Sequence, residues 1–278
     1  MRTYTKACRH GTFLLLHGDM ISEFVNLYGE WCEAEVSLYA LLLTPQSHVL
    51  EVGANIGTHT VPLARMCRQG QVLCFEPQRI VFQVLNANLA LNNLLNVHTR
   101  QQAAGGGSGT LDLPCGDYSA AWNYGAFSIA SGYSSESPYT GSVRLERVEQ
   151  IALDELPEMQ AWPRLDLLKI DAEGAEAEVL KGAAACVAKY QPAIFIENNS
   201  AATGDALIAT LQHMRYACYW FCSSRYRKSN FNQASWAIPG NDINMLCLPR
   251  DRAPPAGVTL VPATRFAELS EGGVPIYK

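Results

Sequence analysis

The 278-residue sequence predicts a parallel α/β sheet. Two observations carry this. Short apolar runs alternate with longer amphipathic ones between about residues 47 and 100, and the alternation resumes from 165 to 214. Repeats of strand and helix build a parallel sheet, and right-handed crossovers bring the C-terminal ends of its strands to one edge. Hydrophobic residues make up 48%, enough for a sizeable core, and charged residues only 17%, which argues against a disordered chain.

Taken in order, 47–52 reads as a buried strand and 72–75 as a second, with a helix over 56–68 between them. A helix over 77–92 follows, with Ile80, Val81, Val84 and Leu85 on one stripe. Residues 165–170 form the next strand. A helix from about Gly174 then carries Val179, Leu180, Ala183, Ala184 and Val187 on its apolar face. The strand at 193–196, a helical stretch at 201–214 and two late strands, 216–221 and 244–248, complete the sheet. The late pair is expected to lie antiparallel at the sheet edge.

Three segments stand outside this alternation. Residues 1–46 supply strand and helix elements expected to cover the ligand site of the main domain, 47–249. An insertion at about 105–145 holds Trp122, Tyr124, Phe127, Tyr133 and Tyr139. It reads equally as a substrate-facing lid or as a β-extension packed on its own aromatics. The tail, 250–278, contains Pro254, Pro255, Pro262 and Pro275 and is expected to be loosely packed, with one short helix near 263–269.

Net charge is −5, which disfavours a nucleic-acid partner. No run approaches the ~20 apolar residues of a membrane span, and 13–16 is too short for a signal-peptide core. The nine cysteines show no C-x-x-C pair and no zinc spacing, and several sit in apolar runs. They read as buried small hydrophobes in a reducing, cytoplasmic setting.

Glu51-Val52-Gly53-Ala54-Asn55-Ile56-Gly57 lies where the first strand turns into the first helix, the docking place of nucleotide-like ligands on such a sheet. Its G-x-x-x-G spacing lacks one glycine of the dinucleotide fingerprint. Glu51 would repel pyrophosphate and suits a cationic group. Glu76 ends the second strand 19 residues after Gly57, about where an acid binds a ribose diol, and Pro77 fits a first helical turn. A nucleoside with a positively charged, phosphate-free arm describes S-adenosylmethionine.

The sequence here resembles the FkbM-type methyltransferases, from about Tyr28 to Pro249. The resemblance rests on Tyr28-Gly29-Glu30-Trp31, 49–60, 75–79, Lys169-Ile170-Asp171-Ala172-Glu173-Gly174-Ala175-Glu176 and 243–247. It implies a class I, Rossmann-like methyltransferase fold and O-methylation of a hydroxyl on a sugar, glycan or secondary metabolite. Phe221-Cys222 stand where the family pattern leads one to expect a histidine, which bears on the substrate more than on the reaction. The cofactor set is Glu51, Gly53, Asn55, Gly57, Thr58, Glu76 and Pro77, with Gln102 and Ala103 where this fold meets the adenine.

Asp171 and Glu197 each follow a buried strand and should share the ligand edge. With Asn198 they match the magnesium ligands of catechol-type methyltransferases. They also suit metal-free proton acceptance, and Asp171 or Glu173 suits a helix cap. The metal-free scheme is favoured, so magnesium is allowed for but no metal ligand is assigned. His59 joins Asp171 and Glu197 as a catalytic candidate, and Lys169 is expected to pair with a neighbouring acid. The expected partner is a small-molecule or glycan hydroxyl acceptor, and a homo-oligomer is allowed for. The alternatives are an NAD-dependent dehydrogenase on a similar sheet and a non-catalytic cofactor-binding module.

Overall fold

The computed structural model describes residues 1–125, Tyr139 and 141–278, with the backbone alone of two short strands between them. The chain opens with a hairpin, β1 (Thr3–Cys8) and β2 (Gly11–Leu16), and two helices, α1 (Met20–Tyr28) and α2 (Glu33–Leu42). Then follow β3 (His48–Val52), α3 (Thr60–Met66), β4 (Gln71–Phe75), α4 (Arg79–Leu91) and β5 (Val97–Arg100). Next come β6 (Ala103–Ala104), β7 (Gly109–Cys115), β8 (Phe127–Ser128), β9 (Gly132–Tyr133), β10 (Arg144–Ile151) and α5 (Pro157–Ala161). The chain continues with β11 (Leu167–Ile170), α6 (Glu176–Gly182), α7 (Ala184–Tyr190), β12 (Ala193–Glu197) and α8 (Gly204–His213). It closes with β13 (Tyr216–Ser224), β14 (Asn241–Pro249), β15 (Val261–Pro262), α9 (Glu268–Glu271) and β16 (Ile276–Tyr277).

The central sheet runs β15-β13-β14-β12-β11-β3-β4-β5, with β16 also on β13. From β12 to β5 every pairing is parallel, and β14 runs against both β12 and β13. The central parallel strands are mostly apolar because helices cover both faces, and Leu167–Ile170, Lys169 included, is buried throughout. The fold is thus the mostly parallel, helix-flanked, Rossmann-like sheet expected of a class I methyltransferase. The chain leaves β3 outward through β4 and β5, then returns to build β11 and β12 on the other side. The crevice at the C-terminal ends of β3 and β11 is therefore the topological switch point, where ligands of such sheets bind.

Local boundaries differ from expectation for identifiable reasons. Helix α3 starts at Thr60 rather than 56, because Asn55 (φ 50°) and Gly57 (φ 89°) hold the intervening turn in the left-handed region. The helix expected from Gly174 is two helices, α6 and α7, meeting at Ala183. The tail is not loose: β15 and β16 extend the sheet beyond β13, so the hairpin is not the edge. Tyr277 stacks on Phe221 at 4.2 Å between ring centroids, in the place where a histidine was expected nearby.

The insertion is a β-extension. Strand β10 pairs antiparallel with β7 and parallel with β6. Tyr118, Trp122 and Tyr124 are buried against one another and against β2, and Tyr139 lies 4.8 Å from Trp122. Phe127 and Tyr133 have side chains outside the described residues. Asn88 of α4 and Asn92 at its C-cap stitch the N-terminal hairpin to the sheet layer. Asn88 Oδ1 accepts from Leu14 N, and its amide donates to Ile56 O; Asn92 bonds Thr12 in the same two-sided way. All nine cysteines are buried and unpaired. Among the described residues, no helix is long and apolar enough to cross a membrane.

Candidate functional site

The turn after β3 is pinned by backbone. Gly53 N and Ala54 N both donate to Phe75 O, at 3.0 and 2.9 Å. Asn55 N donates to Glu76 Oε2 at 3.0 Å and Gln78 N to Glu76 Oε1 at 2.8 Å, so one carboxylate ties the ends of β3 and β4 together. Burial pushes the Glu76 carboxyl up to about 7 against the pull of these two N–H donors. Gly53 sits at φ 79°, and a Cβ there would lie 1.8 Å from Asp171 O. The missing side chain thus makes room for the neighbouring strand's carbonyl, not for a ligand as the sequence suggested. Gly57 serves packing too, since its Cβ would meet Leu85 Cδ1 at 2.9 Å.

These elements enclose a recess lined by Val52, Gly53, Phe75, Glu76, Pro77, Gln78, Gln102 and Ala103, among others. Beside it lies a cleft of about 620 Å³. Gly53, Glu76, Gly125, Asp171 and Glu173 line both, so the two spaces adjoin along these residues. Every residue proposed from sequence for the cofactor borders the recess or the cleft except Gly57. Asp171, Glu197 and His59 all border the cleft.

Glu51 differs from expectation. It is fully buried inside β3, with Lys169 in register beside it on β11. Lys169 Nζ lies 3.7 Å from Glu51 Oε1 and 3.5 Å from Asp171 Oδ2, and Thr60 Oγ1 donates to Glu51 Oε2 at 2.6 Å. The cation partnered by Glu51 is therefore first of all the protein's own. Burial pulls Lys169 down, but Asp171, Glu51 and Glu35 outweigh it and hold its ammonium charged.

The cap reading of Asp171 is also corrected. Glu176 Oε1 accepts from Ala172 N and Gly174 N and closes this loop, which leaves the Asp171 carboxylate on the cleft. Asn198 turns away: its amide donates to Gly204 O at 3.3 Å and approaches Met245 Sδ at 3.5 Å. The acid–amide set of the catechol-type arrangement is consequently not assembled around Asp171 and Glu197. Glu197 accepts from Asn199 Nδ2 at 2.7 Å, and burial with Asp171, Glu173, Glu176 and Asp242 pushes its carboxyl well above the usual range. His59 caps α3, and burial keeps its imidazole well below its ordinary value and neutral.

Sequence reasoning missed Glu35, Arg225, Asp242 and Asn244, which complete the cleft wall. Glu35 sits on the buried stripe of α2 with Leu38 and Tyr39, and an acid on an apolar stripe is the signal that could have found it. Its Oε1 accepts from Ser223 Oγ and, at 3.0 Å, from Asn244 Nδ2. Burial pushes Glu35 up to about 8, with Asp242 adding to the shift.

The recess suits a donor-rich, phosphate-free nucleoside. Among the described residues its lining holds no Lys, Arg or His to neutralise a pyrophosphate. Gln102 Oε1 is a buried acceptor with no hydrogen-bond partner in the protein. Such an atom calls for a donor from a ligand.

The methyltransferase FkbM domain matches residues 51–218. The chain belongs to the FkbM family of S-adenosylmethionine-dependent methyltransferases. The match spans β3 to β13, which includes the whole recess. Methyltransferase sdnD of Sordaria araneosa is 31% identical over 153 residues, 48% of this chain and 59% of that protein. Methyltransferase 1 of Beauveria bassiana is 26% identical over 144 residues, 49% of this chain and 58% of that protein. The chain thus spans under two thirds of the length of these relatives. An FkbM methyltransferase crystal structure from Methylobacillus flagellatus gives a TM-score of 0.46 at 15% identity, over 81% of this chain and 53% of that one. Precorrin-6y C5,15-methyltransferase from Geobacter metallireducens gives 0.44 at 12%, over 77% and 87%. Membership in the FkbM family sets aside the nicotinamide alternative and carries S-adenosylmethionine as the cofactor.

Proposed function

We propose that this FkbM-family chain moves a methyl group from S-adenosylmethionine to a hydroxyl of a sugar, glycan or secondary metabolite. The observation that carries the proposal is the adjacency of the recess and the acidic cleft, which share Gly53, Glu76, Asp171 and Glu173 in their walls. A nucleoside in the recess and an acceptor in the cleft would meet at Asp171. When bound, the cofactor supplies an electrophilic methyl on a sulfonium.

The chain's own residues then have distinct tasks. Glu76 and Gln102 hold the nucleoside through oxygens aimed at donors. Glu51, Lys169 and Asp171 form a charge-paired floor that fixes the Asp171 carboxylate at the junction. Asp171 accepts the acceptor hydroxyl's proton as the bond to carbon forms, and Glu197 and neutral His59 orient that hydroxyl. An alcohol is far too weak an acid to ionise beforehand toward an ordinary carboxylate, so the proton leaves late in the transfer. Much of the acceleration is alignment of acceptor and donor in one cleft. Acidic walls also select against phosphorylated acceptors.

The test is transfer of labelled methyl from S-adenosylmethionine to a panel of sugars, oligosaccharides and polyketide alcohols, with NAD binding measured in parallel. Label on an acceptor oxygen supports the proposal. Label on nitrogen or carbon only would reject the hydroxyl assignment, and no transfer to any class would favour the non-catalytic module.

A further inference from the structure

Cys32, Glu35 and Asp242 each bring a ligand atom to within 4.8 Å of the others. They come from separate places: Cys32 caps α2 in the left-handed region at φ 40°, Glu35 lies in the first turn, and Asp242 lies on β14. The Cys32 thiol donates to Asp242 Oδ2 at 2.6 Å. Each carboxylate is braced through its other oxygen. Arg225 Nε and Nη2 donate to Asp242 Oδ1 at 2.9 and 2.6 Å, while Ser223 and Asn244 donate to Glu35 Oε1. Donors that fix one oxygen and leave the second for the centre are how proteins orient metal ligands.

A second observation points to a ligand independently. His59 Nε2 makes no hydrogen bond, although its side chain is only 7% exposed, and it lies 3.5 Å from Glu35 Oε2. Tyr39 also reaches that oxygen, at 3.4 Å. Leaving a buried imidazole nitrogen unpaired is costly unless something arrives to use it.

We propose that Cys32 Sγ, Glu35 and Asp242, with His59 Nε2 at the rim, form a site for one zinc-like divalent cation in the wall of the cleft. Charge supports a divalent ion: with Cys32 as thiolate, three anions against Arg225 leave two negative charges. Ligand type supports a borderline metal, since thiolate and imidazole select zinc or cobalt over magnesium. This separates the site from the magnesium arrangement considered for Asp171 and Glu197. Binding breaks the Cys32 S–H bond and, below about pH 8, the Glu35 O–H bond, and releases both protons to solvent as the metal–ligand bonds form. Glu35, His59 and Asp242 line the cleft, so the cation has a face toward the acceptor. Its catalytic role rests on the O-methylation proposed above; its occupancy does not.

The full chain, stripped with chelator, is titrated with Co²⁺ and followed by absorption. One equivalent is expected to bind with a thiolate-to-cobalt band in the near ultraviolet, and added Zn²⁺ is expected to displace it. Cys32→Ser should abolish the band, and Asp242→Asn or Glu35→Gln should weaken Co²⁺ binding at least tenfold. Circular dichroism and S-adenosylhomocysteine calorimetry on each variant report whether the fold survives, and the two carboxylate variants decide the matter if Cys32→Ser does not fold. Absence of stoichiometric cobalt, or a band that persists in Cys32→Ser, overturns the site. Loss of S-adenosylhomocysteine binding with cobalt binding intact would count against the methyltransferase reading alone.

Discussion

The recess and the cleft share a wall but are built differently. The recess is made by consecutive strand ends: 52–53, 75–78 and 102–104 each supply a short contiguous piece, held by backbone hydrogen bonds and one carboxylate. The cleft is made by side chains from distant segments. Glu35 meets Asn244 across 209 residues of sequence, and Arg225 and Asp242 meet only because β13 and β14 form a hairpin. A cofactor common to a whole family can be held by a local turn. On the proposed assignment the acceptor meets a wall that long-range packing can vary without disturbing that turn.

Four substitutions sharpen or break this division. The largest effect is expected at the junction. Asp171→Asn should slow methyl transfer by about 10²–10⁴-fold, the scale of general acid–base effects, with a smaller change in cofactor affinity. Turnover beside S-adenosylhomocysteine calorimetry checks it, and equal losses in both would place Asp171 wholly in the cofactor half.

Gly53→Ala comes next. A Cβ 1.8 Å from Asp171 O, at a positive φ, should cost about 2–4 kcal/mol of folding stability, read by urea denaturation. A stable variant that merely lost cofactor would restore the ligand-clearance reading. Glu76→Gln should weaken cofactor binding by about 1.5–3 kcal/mol, the range for a charge-assisted hydrogen bond, while leaving cobalt binding in the cleft unchanged.

The smallest effect concerns pH. Glu35, raised to about 8, and Glu76, raised to about 7, both bind protons more tightly folded than unfolded. Their stabilisation is complete below their unfolded values near ~4.3 and is lost as pH rises through 7 to 8. Chelator-treated protein should therefore lose stability between pH 5 and about 8. Glu35→Gln should flatten that fall, as followed by thermal melts across the range; an unchanged slope would show that Glu35 is already ionised.

The difference in construction also explains what could be read beforehand. The parallel strands and the recess were legible because each depends on a local pattern: an apolar run, a glycine turn, an acid at a strand end. Asp171, Glu197 and His59 were legible as neighbours because strand ends share an edge. Glu35 and Asp242 were not, since nothing near either residue in the sequence names its partner. Asn198 illustrates the limit of edge reasoning. It follows β12 as predicted, yet packing against Gly204 and Met245 turns its amide away from the cleft. Gly53 marks the same limit at smaller scale, because only the position of Asp171 O reveals what its missing Cβ accommodates.

The most direct measurement is a crystal structure of the full chain with S-adenosylhomocysteine. Density for the nucleoside against Glu76 and Gln102, with the sulfur end directed to Asp171 and the acidic cleft left open, is the result predicted. Nucleoside density in the cleft among Glu35, Glu197 and Asp242, or outside both spaces, would contradict the division of the site into a cofactor half and an acceptor half.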